Sequence, residues 1–430
     1  MTSAGTTSGG APSGGVASGV APSSGSTVSG TGSTPEGTCL GASALAALGK
    51  PRVMIGVSST PALTATAPFD ISYEYISGGL FDGTAPCASC AMNCTSHGQT
   101  CANSAGQGGC AWWGCYQYDM DPPGEYVRTF DTAGAKATPV QIPMFTYYEI
   151  LQTATATLTG FQEGKAEATS AATDMPIMTR YYADWRFLLQ QIDQSVAILH
   201  IEPDFWGYAE QAGPDPTALP AAVASVNGTD CGTLPNTIAG MGKCMIAMVR
   251  KYAPHALVGL HASAWASDMD VSDNTSPSLD VGGEALKVAT FLAAAGESDA
   301  DLVIVETSDR DAGYYQSIGK DTWWDATNKT LPDFHQDFAW VKALTEALGK
   351  PALYWQTPLG NAAQNNKTNH WQDNRVDYFF AHMNELAAAH AIGAAFGAGA
   401  GDQTLPTTDG GNLVSKTKAY VAGGGQSLCP

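Results

Sequence analysis

The sequence predicts an α/β fold, an irregular (β/α)8 (TIM-like) barrel with a disulfide-rich loop insertion. Eight short apolar runs of strand length recur along the chain, and helical patterns separate most of them. Polar and acidic residues follow many of these runs, as they do at the mouth of a parallel barrel. An open doubly wound sheet is the alternative, but no Gly-x-Gly-x-x-Gly turn follows any predicted strand.

The elements follow from local patterns. Ser43 is a candidate N-cap for the first helix, and Gly49 and Pro51 end it. The predicted strands span 53–57, 71–76, 142–148, 197–201, 257–261, 302–305, 353–356 and 392–396. The predicted helices span 43–48, 180–192, 241–252, 284–295, 338–348 and 375–389. The first crossover is too short for a full helix and the second reads as disulfide loop, so the first quarter of the barrel is expected to be irregular.

Composition separates a terminal segment from the rest. Residues 1–37 are almost all Ser, Gly, Thr, Ala and Pro, which predicts a flexible linker. Residues 38–430 are predicted to form a single barrel domain with a Cys-rich insertion at 80–118. The formal net charge is −20 with only 20 Lys and Arg, which argues against nucleic acid or anionic membrane as a partner. No apolar run reaches transmembrane length.

Ten cysteines fall into groups of even size, which favours disulfides in an oxidising compartment. Cys231 is expected to pair with Cys244, and Cys39 with Cys429, because a closed barrel brings its first and last elements together. The remaining six are expected to form three bridges of undetermined connectivity: Cys87, Cys90, Cys94, Cys101, Cys110 and Cys115. A zinc site at Cys87-x-x-Cys90 is the competing reading. We expect a monomer that is secreted or held at the cell surface through its linker.

The candidate functional stretch begins in the fourth strand. Alternation places Leu199 and Ile201 on one face and His200 and Glu202 on the other, with Asp204 just past the strand end. The polar face is predicted to point into the barrel mouth. Carboxylates followed at once by Phe, Trp and Tyr suggest a sugar-cleaving site, although a buried structural Glu and a helix-capping Asp would give the same pattern.

Carboxylates also follow other strands. Hydrolysis of a glycosidic bond needs one acid to protonate the leaving oxygen and a second carboxylate to activate water or attack, with aromatic rings stacked on the sugar. The candidate catalytic residues are Asp204, Glu202, Glu149, Glu306 and Asp402. The candidate substrate-binding residues are Trp206, Tyr208, Tyr147, His200, His261, Trp265, Trp112, Trp113, Gln356 and Asn361. Trp112 and Trp113 could instead pack their loop against the barrel.

Other chemistries have weaker support. The eight histidines are scattered without a His-x-His pair, so no metal or other cofactor is expected, although His200 and His261 could meet across the mouth. Neither a Gly-x-Ser-x-Gly elbow nor a phosphate-binding Gly-Lys-Ser/Thr loop occurs. The loop 308–311 reads either as a strand-end site or as a local salt-bridged turn. A barrel that binds carbohydrate without cleaving it, and a metal-dependent hydrolase, are the alternative functions.

Ile201-Glu202-Pro203-Asp204 resembles the Ile-Glu-Pro-Asp motif of family 6 glycoside hydrolases, the cellobiohydrolases and endoglucanases with a distorted barrel. The following strand ends in His261-Ala-Ser-Ala-Trp265, which is similar to the His-Ala-Gly-Trp of that family. The resemblance covers roughly residues 140–270. It implies an inverting hydrolase of a polysaccharide, with a β-linked glucan as the expected substrate and Asp204 as the proton donor.

The chain departs from that family at other motifs. Tyr147-Tyr148-Glu149 stands where the family has Asp-Arg-Asp-Cys. The late Lys-Pro-Gly-Gly-Glu-x-Asp motif corresponds to 397–402 here, which contains no lysine. The second carboxylate therefore stays open among Glu149, Glu306 and Asp402, and Glu202 is expected to orient Asp204 or to hold a neighbouring strand.

Overall fold

Eight parallel strands close into a barrel in a computed structural model that describes residues 39–58, 64–77, 79–80, 112–116, 124–399 and 401–429. Each strand pairs with the next along the chain, and β8 pairs with β1. The strands are β1 Met54–Ser58, β2 Ile71–Ile76, β3 Ile142–Tyr147, β4 Ile198–Ile201, β5 Leu257–Ala262, β6 Val303–Val305, β7 Ala352–Thr357 and β8 Ala391–Phe396. The predicted fold class and all eight predicted strands are confirmed.

Helices cover the outside of the barrel. In chain order they are α1 Ala42–Ala47, α2 Trp113–Tyr116, α3 Glu125–Lys136, α4 Ile150–Thr157, α5 Lys165–Thr173, α6 Met175–Ile192, α7 Phe205–Ala212, α8 Gly228–Cys231, α9 Ile238–Tyr252, α10 Val281–Ala295, α11 Ala312–Ser317, α12 Phe334–Leu348, α13 Arg375–Ala381, α14 Met383–Ala388 and α15 Asn412–Ala422. Side-chain caps start several of them: Asp174 accepts from the backbone N–H of Ile177 at the start of α6, as N-cap residues do.

Three helix predictions were wrong in detail. Gly41, and not Ser43, is the N-cap of α1. A full helix, α3, precedes β3, so the second crossover is not disulfide loop alone. Its apolar side buries Tyr126 and Phe130, a stripe that the sequence prediction overlooked. The predicted helix 375–389 is divided at His382 into α13 and α14.

Side chains from strands that are not neighbours meet inside the barrel. The ring centroids of Tyr73 on β2 and His200 on β4 lie 6.2 and 4.7 Å from that of Trp355 on β7. His261 on β5 also contacts Trp355, with ring centroids 5.8 Å apart. His200 therefore points inward, as alternation along β4 predicts. These polar and aromatic side chains form the floor below the carboxyl ends of the strands.

Two disulfides hold the described part of the chain. Cys231–Cys244 links α8 to α9. Cys39–Cys429 links the start of the barrel domain to its last residues, across a sequence separation of 390. Both pairings are those that the sequence predicts, and the long one exists because β1 and β8 are neighbours in the closed barrel.

The Cys39–Cys429 bond closes the longest loop, so its removal is expected to cost the most stability. In the chain-entropy model, replacing both cysteines by serine lowers the free energy of unfolding by roughly 5 kcal/mol, against roughly 3 kcal/mol for the Cys231/Cys244 pair. Denaturant unfolding of the two double variants measures the difference. Equal losses, or peptide mapping that links Cys39 elsewhere, would contradict the expectation.

Several sequence predictions lie outside the described residues. They are the linker 1–37, most of the insertion 80–118, and the side chains of Cys87, Cys90, Cys94, Cys101, Cys110 and Cys115. Within the described part of the chain, no helix is long and apolar enough to cross a bilayer.

Candidate active site

A cavity of about 520 Å³ opens at the carboxyl ends of the strands, where parallel barrels hold their active sites. Its size suits a small oligosaccharide segment. Its carboxylates are Glu163, Asp204, Asp270, Asp273, Glu306 and Asp309. Its aromatic residues are Tyr75, Tyr148, Tyr208, Trp265, Tyr315 and Trp355, and its cationic residues are Arg310 and Lys320. The lining is thus acidic and aromatic, the combination that the sequence predicts for sugar cleavage.

The turn after β4 directs Asp204 into this cavity. Glu202 and Asp204 both have left-handed backbones, with φ of 49° and 65°, and Pro203 stands between them. Positive φ is uncommon for residues other than glycine, and such strain concentrates at functional sites. The turn interrupts the alternation of β4, so Glu202 and Asp204 leave the strand in different directions. Asp204 lines the cavity and Glu202 does not.

The surroundings of Asp204 favour its protonated form. Burial raises the pKa of Asp204 to about 7, and the negative charge of Glu306 contributes in the same direction. A general acid that works near neutral pH needs a pKa in this range. Asp204 therefore has the electrostatic property that an acid catalyst requires.

Tyr148 links Asp204 to a second carboxylate. Its hydroxyl lies 3.2 Å from Asp204 Oδ2 and also donates to Glu163 Oε1. A phenol carries one proton, so it can donate to only one of the two carboxylates at a time. When Tyr148 donates to Glu163, a protonated Asp204 can donate to the phenol oxygen. This contact fixes the orientation of the Asp204 carboxyl.

Glu306 follows β6 directly and lines the same cavity. Its Oε1 lies 3.7 Å from His261 Nε2. Its charge acts on Asp204 and also raises the pKa of Asp270, after the larger effect of burial. Glu306 is thus the one of the three open candidates that shares the cavity with Asp204.

Aromatic residues form two walls of the cavity. The rings of Tyr208 and Trp265 pack with centroids 4.9 Å apart. The side-chain amide of Gln211 donates a hydrogen bond to the Trp265 carbonyl oxygen at 3.0 Å. On another side, the Tyr75 and Trp355 rings pack edge to face with centroids 5.6 Å apart. Tyr208, Trp265 and the neighbouring Gln356 were predicted to bind substrate, and all three line the cavity.

Replacing Trp265 by alanine is expected to weaken binding of an oligosaccharide by about 1–3 kcal/mol, since a desolvated aromatic contact is lost. Isothermal titration with soluble oligosaccharides measures the change. Trp323→Ala is the matched control, because Trp323 is partly exposed and does not line the cavity. Equal affinities of the two variants would contradict a binding role for the Trp265 ring.

Three predicted catalytic carboxylates, Glu202, Glu149 and Asp402, lie outside the cavity lining, and the first two are buried. Glu202 is fully buried, and its Oε1 accepts hydrogen bonds from the backbone N–H groups of Glu149 and Ile150 at 3.0 and 3.1 Å. Glu149 is also fully buried and accepts from the Gly79 N–H at 3.1 Å. Both side chains therefore hold the start of α4 and a neighbouring loop. Glu202 was expected to point into the mouth, but its side chain is instead buried against the backbone at the start of α4.

Three predicted tryptophan contacts belong to the core. Trp206 is 1% exposed, and its indole N–H donates to the Ile201 carbonyl at 2.9 Å. Trp112 and Trp113 are buried, and both indole N–H groups donate to Asp184 on α6. Trp113 lies 2.9 Å from its acceptor. These rings fix their segments to the helices and do not line the cavity, so the prediction that they bind substrate was wrong.

The remaining predicted residues also lie away from the cavity lining. Tyr147 is buried and donates to Asp184 at 3.0 Å. Asp402 is exposed, and its backbone carbonyl accepts from the Trp371 indole at 2.6 Å. Asn361 donates to the carbonyl of Asp409 at 2.8 Å. These three residues support local structure, so Asp402 is removed from the candidates for the second carboxylate.

His200 and His261 were predicted to bind substrate, but both are fully buried below the cavity. In the loop 308–311, Asp309 pairs with Arg310 at 2.5 Å, as the salt-bridged reading predicts, and the loop also lines the cavity. Asp311 is buried and accepts from the Gly360 N–H at 2.8 Å, which makes it a structural residue.

Sequence reasoning missed Tyr75, Tyr148 and Trp355, which line the cavity. The signal for them was present, since Tyr73 and Tyr75 share one face of β2, and Thr146 and Tyr148 follow the same alternation at the end of β3. Applying this alternation to every strand would have favoured these residues over Glu149.

The described residues contain no group of three or more His, Cys, Asp or Glu side chains arranged to hold a metal ion. The acidic cavity carries the chemistry that its acid, base and aromatic side chains can perform.

Comparisons with known proteins identify no family. No protein-family model and no curated protein matches the chain. An endoglucanase, Cel6, from Mycobacterium tuberculosis matches at 13% identity over 54% of this chain and 56% of its own, with a TM-score of 0.28. A Bacteroidetes-affiliated family 5 cellulase matches at 10% identity over 88% of this chain and 94% of its own, with a TM-score of 0.42. The carboxyl transferase domain of Rhizobium etli pyruvate carboxylase matches at 11% identity over 86% of this chain and 45% of its own, with a TM-score of 0.33. These similarities concern the barrel fold alone.

Proposed function

We propose that this protein is a glycoside hydrolase that cleaves a polysaccharide by an inverting acid/base mechanism. The observation that carries the proposal is the pairing of Asp204 and Glu306 in one cavity lined by aromatic residues. Asp204 has a pKa raised to about 7 by burial, and the Glu306 charge adds to the effect. A protonated and an ionised carboxyl in one site are the pair that glycoside hydrolysis needs.

In the proposed reaction, Asp204 donates its proton to the oxygen of the leaving sugar as the glycosidic bond breaks. Glu306 accepts a proton from the water that attacks the opposite face of the anomeric carbon. The protein ends the cycle with the two carboxyls in exchanged protonation states and is restored by exchange with solvent. Tyr148 keeps the Asp204 carboxyl in place through its hydroxyl.

The cavity favours neutral sugars over anionic ones. Six carboxylates line it, while Arg310 is paired with Asp309 and Lys320 is exposed. Polymers rich in uronic acid would be repelled at this site. The Tyr208 and Trp265 rings, which pack side by side in one wall of the cavity, suit the apolar faces of β-linked glucose units. A β-glucan is therefore the proposed substrate. The two disulfides support action outside the cell.

The test is release of reducing ends from a panel of purified polysaccharides, with β-1,4- and β-1,3-glucan, mannan and xylan set against polygalacturonate. We expect release from a neutral β-linked polymer, loss of that release in Glu306→Gln, and none from polygalacturonate. Proton NMR of the first product identifies the anomer, and inversion is expected.

Binding measured in parallel separates the alternatives. Tight binding without release would assign the protein to the non-catalytic carbohydrate-binding barrels. Release that survives in Glu306→Gln would remove Glu306 as the second carboxylate and direct attention to Asp309, which lines the same cavity. Retention of anomeric configuration would contradict the inverting mechanism.

A further inference from the structure

A chain of polar side chains runs through the barrel interior toward Glu306. Thr146 Oγ1 on β3 lies 3.1 Å from His200 Nδ1 on β4. His200 Nε2 lies 3.0 Å from His261 Nδ1 on β5. His261 Nε2 in turn lies 3.7 Å from Glu306 Oε1, after β6. Four consecutive strands thus each supply one member.

The chain is sealed from solvent. Thr146, His200 and His261 are all fully buried. The Trp355 ring packs edge-on against both imidazoles, with centroids 4.7 and 5.8 Å away, and also lines the cavity. Burial holds the pKa of His200 well below its usual value, and the neighbouring His261 adds to this effect. His200 is therefore neutral at physiological pH.

With both imidazoles uncharged, two proton arrangements satisfy the inner contacts. In the first, Thr146 donates to His200 Nδ1, His200 Nε2–H donates to His261 Nδ1, and His261 Nε2–H points at Glu306. In the second, His261 Nδ1–H donates to His200 Nε2, His200 Nδ1–H donates to Thr146 Oγ1, and the unprotonated Nε2 of His261 faces Glu306. An ionised carboxylate only accepts hydrogen bonds, so it selects the first arrangement. His261 Nε2 has no hydrogen-bond partner among the described residues, and the Glu306 carboxylate lies 3.7 Å from it.

The charges around Glu306 make such a donor important. Burial raises the pKa values of Asp204, Asp270 and Asp309, and the negative charge of Glu306 acts on all three in the same direction. Neither these carboxylates nor the buried hydroxyl of Tyr75 carries a positive charge that could balance the negative charge of Glu306. An N–H from below the cavity opposes their repulsion by binding the charged form of Glu306.

We propose that Thr146, His200 and His261 are positioning residues that orient the Glu306 carboxylate through a chain of hydrogen bonds running outward from the barrel interior. The role of these hydrogen bonds in catalysis rests on the proposed function, whereas the positions of their protons do not depend on it. The 3.7 Å contact is expected to shorten to a hydrogen bond when substrate fills the cavity, as catalytic contacts commonly tighten on binding.

The proton arrangement can be read without any activity. Long-range ¹H–¹⁵N NMR of the full chain with ¹⁵N-labelled histidine distinguishes protonated from unprotonated ring nitrogens. We expect His200 and His261 both to carry their proton on Nε2 at pH 7, with the signals assigned by their loss in His200→Gln and His261→Gln. A proton on Nδ1 of either ring would overturn the proposal.

The effect on Glu306 is tested by kinetics. His261→Leu removes the N–H, whereas His261→Gln retains an N–H at a similar position. We expect the acid limb of the pH profile of kcat/KM to move upward by about one pH unit in His261→Leu, because a hydrogen bond to the charged carboxylate is lost. KM is expected to change little. In His261→Gln the acid limb should lie at the same pH as in the unaltered protein.

His255→Gln is the matched control, since His255 is exposed and precedes β5 at the opposite end of the barrel. An acid limb that stays in place in a folded His261→Leu would overturn the proposal. If His261→Leu does not fold, the histidine tautomers that NMR shows in the unaltered protein decide whether the proposal stands. If the unaltered protein cleaves no polymer, the proposed function fails, and the NMR result still shows whether the chain of hydrogen bonds exists.

Discussion

Asp204→Asn is expected to lower turnover of a natural polysaccharide by about 10²–10⁴-fold, the contribution of a positioned general acid. The substitution keeps the shape of the side chain and removes its proton, so substrate binding should persist. Aryl glycosides with good leaving groups should be affected less, because they need little protonation. The unaltered protein should lose activity as the pH rises above about 7, where Asp204 gives up its proton. This alkaline limb should disappear in the variant.

Asp402→Asn is the matched control, since the same chemical change is made at an exposed carboxylate outside the cavity lining. It should retain turnover close to that of the unaltered protein. The measurements are steady-state kinetics on a polymer and on an aryl glycoside. Near-full activity of Asp204→Asn on the polymer would show that the proton donor is another residue, and Asp309 would then be examined first.

The free energy of unfolding is expected to fall as the pH rises from about 4 to about 8, because several buried carboxyls hold their protons only in the folded chain. Burial raises the pKa of Glu202 to about 8, of Asp337 to about 7 and of Asp184 to about 6. Between an unfolded pKa of about 4 and these values, the folded state binds more protons than the unfolded state, so stability decreases with increasing pH and then levels off. The total change is on the order of several kcal/mol.

Glu202→Gln isolates one of these groups. The amide keeps an oxygen acceptor for the backbone N–H groups of Glu149 and Ile150 and cannot ionise. The variant should therefore gain stability relative to the unaltered protein between pH 5 and pH 8. Denaturant unfolding at several pH values measures this difference, with Glu346→Gln as a control on the exposed surface. A parallel decline of both variants with pH would contradict the assignment to Glu202.

The strands were predictable because each is a short apolar run bounded by glycine, proline or polar residues. Segments 53–57 and 392–396, for example, are predicted as strands by composition alone, and the pairing of β1 with β8 follows once eight such segments close into a barrel. The Cys39–Cys429 bond was predictable for the same reason. The helix Glu125–Lys136 was overlooked because it adjoins the cysteine-rich segment, although Tyr126 and Phe130 already mark its apolar face.

The site was predictable only in part. A local motif suffices to place Asp204 in the cavity lining, because the residue comes directly after β4 and the turn at Pro203. It does not suffice for Glu149 and Glu202, since both follow strands as Asp204 does and yet turn toward the helices. Hydrogen bonds from backbone N–H groups hold both side chains there, and the pattern of residue types does not encode these contacts.

The sequence by itself therefore determined the closed barrel, its eight strands, the two described disulfides and the aspartate in the mouth. Tertiary structure decided which carboxylate faces Asp204 and which rings line the cavity. Glu306 lies about 100 residues from Asp204 along the chain, and only closure of the barrel brings the ends of β4 and β6 to one cavity. Trp206 adjoins the acid in sequence but packs into the core, because a helix beginning at Phe205 turns its ring away from the mouth.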